Sequence, residues 1–160
     1  MRLANDSPVR VAVLMGSKSD ADVMATCEKY LQHFNIPYEA KVLSAHRNPE
    51  ALRQYVAELP GRGVRVVIAA AGMAAHLPGA VAAQVALPVI GVPLSASDLG
   101  GLDALLSIVQ MPSGIPVATV SIGKAGAANA AVLAAEILAL QDEKIRENLT
   151  AFRRRGARLP

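Results

Sequence analysis

The chain has 160 residues, is 52% hydrophobic and carries a formal charge of +3 at neutral pH. That length suits one domain, residues 1–160, with a sizeable buried core. No apolar run approaches the roughly 18 residues of a membrane span, and the opening MRLANDSPVR lacks a signal peptide's apolar core, so a cytoplasmic protein is expected.

Val9 to Met15 (VRVAVLM) is short, apolar and β-branched, and reads as a buried strand. It runs into Gly16-Ser17-Lys18-Ser19-Asp20 and then a helical pattern over 20–35. A strand–turn–helix of this kind makes an anion site. Glycine lets a ligand approach the backbone, the new helix offers unpaired N–H groups and the positive end of its dipole, and Ser17 and Ser19 add hydroxyl donors. A phosphate with a sugar beside it is the expected ligand, because Asp20 can accept from ribose hydroxyls. The competing reading makes Ser19 or Asp20 an N-cap and nothing more. Within the helix, Val23, Met24, Cys27, Tyr30, Leu31 and Phe34 form one apolar stripe. Cys27 is therefore a core residue, His33 a surface one, and Asn35 and Pro37 end the helix. A single cysteine excludes an internal disulfide and a multi-cysteine zinc site, and the three histidines lack metal-binding spacing, so no metal is implied.

Residues 38–43 read as strand two, followed by the loop Ser44-Ala45-His46-Arg47. Asn48-Pro49 caps and starts a second helix with Leu52, Val56 and Leu59 inward, broken by Gly61 and Gly63. Strand three is Val64 to Ala70. A glycine-bearing loop over 71–79 leads into an alanine-rich helix reaching about Ala86. Pro88 to Val92 is strand four, Leu102 to Gln110 a helix, Pro116 to Ile122 strand five, and Gly126 to about Arg155 a helical region in two pieces. The stretch Ala127 to Leu140 is apolar nearly all round, interrupted only by Asn129 and Glu136. Oligomerisation is the natural source of its burial, and a deep core helix is the competing reading. The tail holds Arg153, Arg154, Arg155 and Arg158 with no acid in the last ten residues, and the remaining 12 basic and 13 acidic residues sum to −1. With only five aromatics in the chain, a base-stacking surface is not expected, and the tail reads as solvated or intersubunit rather than as a nucleic-acid grip.

Alternating apolar strands and helices predict an α/β fold: a three-layer αβα sandwich around a parallel five-stranded sheet, flavodoxin-like or Rossmann-like, with an extra C-terminal helix. In such sheets ligands bind beyond the carboxyl ends of the strands. The loops 16–20, 44–47 and 71–79 all lie there, and two of them carry a histidine. Arg47 can fork onto a phosphate, and His46 can move a proton near neutral pH. His76 either lines the same crevice or caps the third helix. No GxxxxGK[ST] or GxGxxG is present, so neither ATP nor a dinucleotide is implied. The set suits acid–base chemistry on a nucleotide-like substrate without a cofactor.

The stretches MGSKSD (15–20), SAHR (44–47), AAHLPG (74–79), GVP (91–93) and SIVQMPSGIPVATVSIGKAGAANAA (107–131) resemble class I N5-carboxyaminoimidazole ribonucleotide mutases of purine biosynthesis, over roughly residues 9–141. That resemblance implies conversion of N5-carboxyaminoimidazole ribonucleotide to 4-carboxyaminoimidazole ribonucleotide by loss and recapture of CO2. It assigns His46 as general acid and base, and Ser17, Ser19 and Arg47 to the phosphate. It assigns Asp20 to the ribose, and Ser44, Gly72, Ala75 and His76 to the base and CO2. It further implies no metal, ATP or biotin, and homo-octamers of flavodoxin-like subunits in which a C-terminal helix packs on a neighbour. Two alternatives remain: a class II carboxylase taking aminoimidazole ribonucleotide and CO2 directly, and a non-catalytic nucleotide-binding module. The chain departs from the family pattern at Met73, where a second glycine is expected. A positive φ there would strain methionine. Asn48 stands where threonine is common, an exchange between two N-cap residues.

Overall fold

A computed structural model describes residues 8–160; residues 1–7, read above as lacking a signal sequence, lie outside the described residues. Five parallel strands, β1 (Val11–Met15), β2 (Tyr38–Val42), β3 (Val66–Gly72), β4 (Val89–Leu94) and β5 (Ala118–Thr119), form one sheet in the order β2-β1-β3-β4-β5. The helices are α1 (Ala21–His33), α2 (Pro49–Glu58), α3 (Leu77–Ala82), α4 (Leu102–Val109), α5 (Lys124–Ala139) and α6 (Glu143–Arg154), with a 3-10 turn over Lys18–Asp20 ahead of α1. None of them is long and apolar enough to cross a membrane among the described residues.

Strand periodicity explains the three layers. Val11, Val13 and Met15 of β1 and Val66, Ile68 and Ala70 of β3 face a core shared with α1, α5 and α6. Ala12, Leu14, Val67, Ala69 and Ala71 face the other core, shared with α2, α3 and α4. Both faces are covered, which is why these strands read as unbroken apolar runs.

The stripe expected of α1 is the buried one, with Met24, Cys27, Leu31 and Phe34 fully enclosed; burial pushes the Cys27 thiol's pKa well up, so it behaves as a small hydrophobe. The helix ends where Asn35 takes φ +55. Ile36 N–H then bonds Leu31 C=O and Asn35 N–H bonds Gln32 C=O, both at 2.9 Å, closing a Schellman motif. His33 is not plain surface: its ring packs on Phe34 and Phe152, with centroids 5.3 and 5.9 Å away.

Several elements differ from the sequence reading. β3 runs over Val66–Gly72 rather than 64–70, which places Ala71 and Gly72 in the strand and not the loop, and β4 over Val89–Leu94 rather than 88–92. The α3 helix stops at Ala82 rather than near Ala86, and β5 pairs only over Ala118–Thr119 instead of 116–122. Asn48 occupies the cap position of α2, yet its side chain makes no capping bond. The alanine-rich α5 is enclosed within the chain, between the sheet, α1 and α6, leaving only Asn129 and Glu136 exposed between Gly126 and Ala139. Small side chains permit this close approach. A Cβ added to Gly126 would fall 1.6 Å from the Ser121 carbonyl oxygen. The deep-core reading therefore describes α5. The helix α6 packs on its own chain, through Phe152 against Tyr30 and Phe34 and through Arg153 with Glu136 at 2.6 Å, so part of the arginine tail is paired internally.

Asp142 fixes where α6 begins. Its Oδ1 accepts from Ile145 N–H at 3.2 Å and its Oδ2 from Arg10 Nη1 at 2.6 Å. The Ile145 N–H first, and Arg10 after it, hold its carboxyl below the usual range against partial desolvation. Since the folded pKa is depressed, this contribution is whole above the ordinary aspartate range, near pH ~4, and is lost as pH falls through the lowered value. Asp142→Ala removes cap and ion pair together and is expected to cost about 1–2 kcal/mol, measured by urea unfolding. Asp142→Asn keeps a cap acceptor and should cost about half as much or less; equal losses would assign the whole effect to Arg10.

Candidate active site

The chain leaves β1 toward β2 on one side and returns across it to β3 on the other, so β1 lies at the point where the strand order reverses. Registration brings the three loops together: Met15 pairs with both Val42 and Ala70, Leu43 N–H bonds Met15 C=O at 2.9 Å, and Gly16 N–H bonds Ala70 C=O at 3.1 Å.

The first loop is a capping box. Ser17 Oγ accepts from Ser19 N–H at 3.3 Å and from Ser19 Oγ at 2.9 Å, while Asp20 Oδ2 accepts from Ser17 N–H at 2.8 Å. Ser17 thus caps the 3-10 turn, while Asp20 holds the cap position of α1 without a side-chain capping bond. Ser17 and Ser19 are exposed, whereas Asp20 is only 6% exposed. Burial pushes its carboxyl above the usual range, opposed by hydrogen bonds from the Ser17 and Gly16 backbone. Asp20 therefore shapes the turn.

The second loop is a short turn, with Asn48 N–H on Ser44 C=O at 2.9 Å and Arg47 N–H on Ser44 Oγ at 3.2 Å. Ser44 is thereby committed in part to the turn. His46 and Arg47 stand exposed.

The third loop is tighter. Ala75 N–H bonds Met73 C=O at 2.8 Å and His76 N–H bonds Ala74 C=O at 2.7 Å. Met73 has φ +55, so the position does require the left-handed region. Ala75 is 1% exposed and faces the α2–α4 core, so its methyl group offers nothing to a ligand. Gly72 is needed for packing: a Cβ there would come within 2.5 Å of the Ala96 Cβ. His76 sits at the cap position of α3 without a side-chain capping bond. It faces His46 instead, Nδ1 to Nε2 at 3.2 Å, rings edge-on with centroids 5.1 Å apart.

A cavity of about 410 Å³ opens beside the two histidines, lined also by Ala74, Gly79, Ala80, Ala83, Ser107 and Met111. Ser107 and Met111 were given no site role in the sequence reading; their only signal was their place in the 107–131 stretch that carries the family resemblance. The 16–20 turn, Ser44, Arg47, Gly72 and Ala75 do not line this cavity; they share with its two histidines only the carboxyl edge of the sheet. A larger groove of about 720 Å³ runs past 82–89 and 114–118 and holds no titratable side chain, so it offers no acid–base chemistry. Among the described residues no group of three or more His, Cys, Asp or Glu side chains is placed to hold a metal ion.

The family model described as AIR carboxylase matches residues 10–158. A protein of Pseudomonas aeruginosa called N5-carboxyaminoimidazole ribonucleotide mutase is 56% identical over 143 residues, 89% of this chain and 88% of its own. One of the same name from Saccharolobus solfataricus is 54% identical over 143 residues, 89% of each chain. The crystal structure of Treponema denticola PurE superimposes with a TM-score of 0.83 at 32% identity, covering 92% of this chain and 90% of that one.

Met73 is 60% exposed, so its replacement leaves no cavity. Its left-handed backbone costs about 1–2 kcal/mol, and glycine's extra unfolded-state freedom returns about 0.5–1 kcal/mol of that. Met73→Gly should therefore leave stability equal or raised by up to about 1.5 kcal/mol, while Met73→Val, β-branched at positive φ, should lower it. Denaturation midpoints of the two variants check this, and a clearly destabilised Met73→Gly would show that no strain is stored there.

Proposed function

The chain belongs to the AIR carboxylase family, and from that premise we propose that it isomerises N5-carboxyaminoimidazole ribonucleotide to 4-carboxyaminoimidazole ribonucleotide in purine biosynthesis. One geometric observation carries the reading: a histidine able to shuttle a proton and a serine-rich turn fit for phosphate stand on adjacent strand ends at the reversal of the sheet.

In this reading Ser17, Ser19 and Arg47 take the phosphate. Asp20 keeps the turn through one oxygen and meets the ribose with the other. Ser44, the Gly72 backbone and the 74–79 loop border the base. Protonated His46 gives its proton to the exocyclic nitrogen as the N–CO2 bond breaks, leaving aminoimidazole ribonucleotide and CO2. Ring carbon C4 then attacks CO2, and His46 removes the C4 proton, returning to its starting state. Carbon, charge and proton all balance on one side chain, so the chemistry calls for no oxidant and no ATP. The alanines and glycines around the histidines leave a small chamber suited to holding CO2.

The same proposal takes the chain as one domain and as a cytoplasmic homo-octamer. Support for assembly comes from α4, where Leu102, Leu106 and Val109, 53, 50 and 48% exposed, recur at i, i+4 and i+7 on its outer face. An apolar stripe of this kind is characteristic of a protein–protein contact.

Turnover of N5-carboxyaminoimidazole ribonucleotide, without ATP or added metal, is compared with that of aminoimidazole ribonucleotide plus bicarbonate. Fast conversion of the first alone at low CO2 is expected. Preference for the second would make the chain a carboxylase, and turnover of neither would leave a binding module. His46→Asn should lower turnover by about 10²–10⁴-fold while the nucleotide still binds. Asp20→Ala should weaken nucleotide binding and leave the sedimentation profile unchanged; dissociation would give Asp20 a role in assembly instead.

A further inference from the structure

The His46–His76 contact demands more than two ligands facing one cavity. His46 Nε2 and His76 Nδ1 are 3.2 Å apart, so one nitrogen carries the proton and the other a lone pair. Two N–H groups facing each other at that distance would leave no acceptor between them, so the contact requires one bare nitrogen.

Only one arrangement survives a full acid–base cycle. If His76 donated, His46 Nε2 would have to stay unprotonated, and the bond would break whenever His46 became imidazolium. If His46 donates from Nε2, that nitrogen bears hydrogen in both the neutral and the charged ring. The bond then persists while Nδ1 gains and loses the working proton.

The anchoring is also unequal. His76 follows the two tight turn bonds of the third loop, its carbonyl starts α3 by accepting from Ala80 N–H at 2.9 Å, and it lies between buried Ala75 and Leu77. His46 stands on an exposed turn. The other residues lining the cavity are Ala74, Gly79, Ala80, Ala83, Ser107 and Met111, none of them charged. The nearest charged neighbour in sequence, Arg47, is a cation and cannot accept. No carboxylate lines the cavity to fix the imidazole, the usual device for a catalytic histidine.

We propose that His76 is a positioning residue: its Nδ1 accepts from His46 Nε2, locks that tautomer and turns His46 Nδ1 into the atom that exchanges protons with the substrate. This deepens the mutase reading and rests on it for the catalytic role of His46, though not for the tautomer.

Two variants separate this role from substrate contact. His76→Asn keeps an acceptor near the Nδ1 position, and His76→Phe keeps a flat ring without one. Thermal melts establish that both fold. Ring-15N NMR of the free proteins reads the His46 tautomer, and steady-state kinetics read kcat and KM. In the wild type, neutral His46 should be protonated at Nε2 alone, and His76→Phe should lose that preference. His76→Phe should lower kcat by about 10–100-fold, the usual scale for loss of a group that orients an active ligand, with KM within about threefold. His76→Asn should recover kcat to within about fivefold of the wild type. An unchanged tautomer in His76→Phe, equal kcat losses in the two variants, or an effect confined to KM would each overturn the proposal. If the wild type fails to turn over N5-carboxyaminoimidazole ribonucleotide, the mutase reading falls, and the NMR comparison alone decides the tautomer lock.

Discussion

Burial of β1 on both faces and along both edges is the constraint from which the site follows. Val11 to Leu14 are fully enclosed and Met15 nearly so, with β2 on one side and β3 on the other. A strand so placed can present polar groups only beyond its ends, Arg10 before it and the turn after Met15. The next residues are accordingly Gly16, Ser17, Lys18 and Ser19, and the chain's reversal from β2 back to β3 brings two further loops to the same edge. Parallel pairing matters here. It sends every strand end of one polarity to one side of the sheet, so loops distant in sequence become neighbours.

Continuous apolar strands, the stripe of α1, the Asn35 ending and the αβα layering were all legible, because each is fixed by burial or by a local backbone rule. What escaped was set by tertiary competition. Alanine propensity alone carries α3 to Ala86, but residues 83, 84 and 86 have no core to pack against, and Pro88 forces Leu87 out of the helical region. The PVATVSI run has strand composition, yet only Ala118 and Thr119 pair with β4 before the chain must bend to seat Gly126 against Ser121. At the site, residue types and their loops were readable, whereas the partners were not. That Ala75 turns inward, that Asp20 closes its own turn and that His76 meets His46 are all matters of side-chain direction, which spacing does not encode.

The alanine-rich α5 shows how an all-round apolar helix can be satisfied within one chain. The burial demand was read correctly, but oligomerisation was its expected source, and the cover comes from within the chain. The α6 helix supplies it, held by the Asp142 cap, the Arg10 pair and the edge-on rings of Tyr30, Phe34 and Phe152. Small side chains let α5 lie close to the sheet, and α6 closes the remaining side. Unmet apolar surface lies instead on α4, a helix whose Ala104 and Ile108 are buried while Leu102, Leu106 and Val109 are not. The two helices illustrate that composition measures how much must be buried, and topology decides which element is left with the surplus.

The two histidine-bearing loops differ in stiffness in a way that suits a proton shuttle. The loop after β3 combines a left-handed residue, two short turn bonds and two buried anchors, so its backbone has little freedom left to lose. The loop after β2 is held by two bonds to Ser44 and is otherwise open. A catalytic ring on the stiffer loop would be well aimed but slow to adjust between a nitrogen and a carbon of the same substrate. A ring on the looser loop, tethered at one nitrogen to the stiffer one, can pivot about that bond while keeping its tautomer. In the proposed mechanism, the left-handed backbone at Met73 and the exposure of His46 belong to one arrangement, in which rigidity sits one residue-to-residue contact away from the ring assigned the proton transfer.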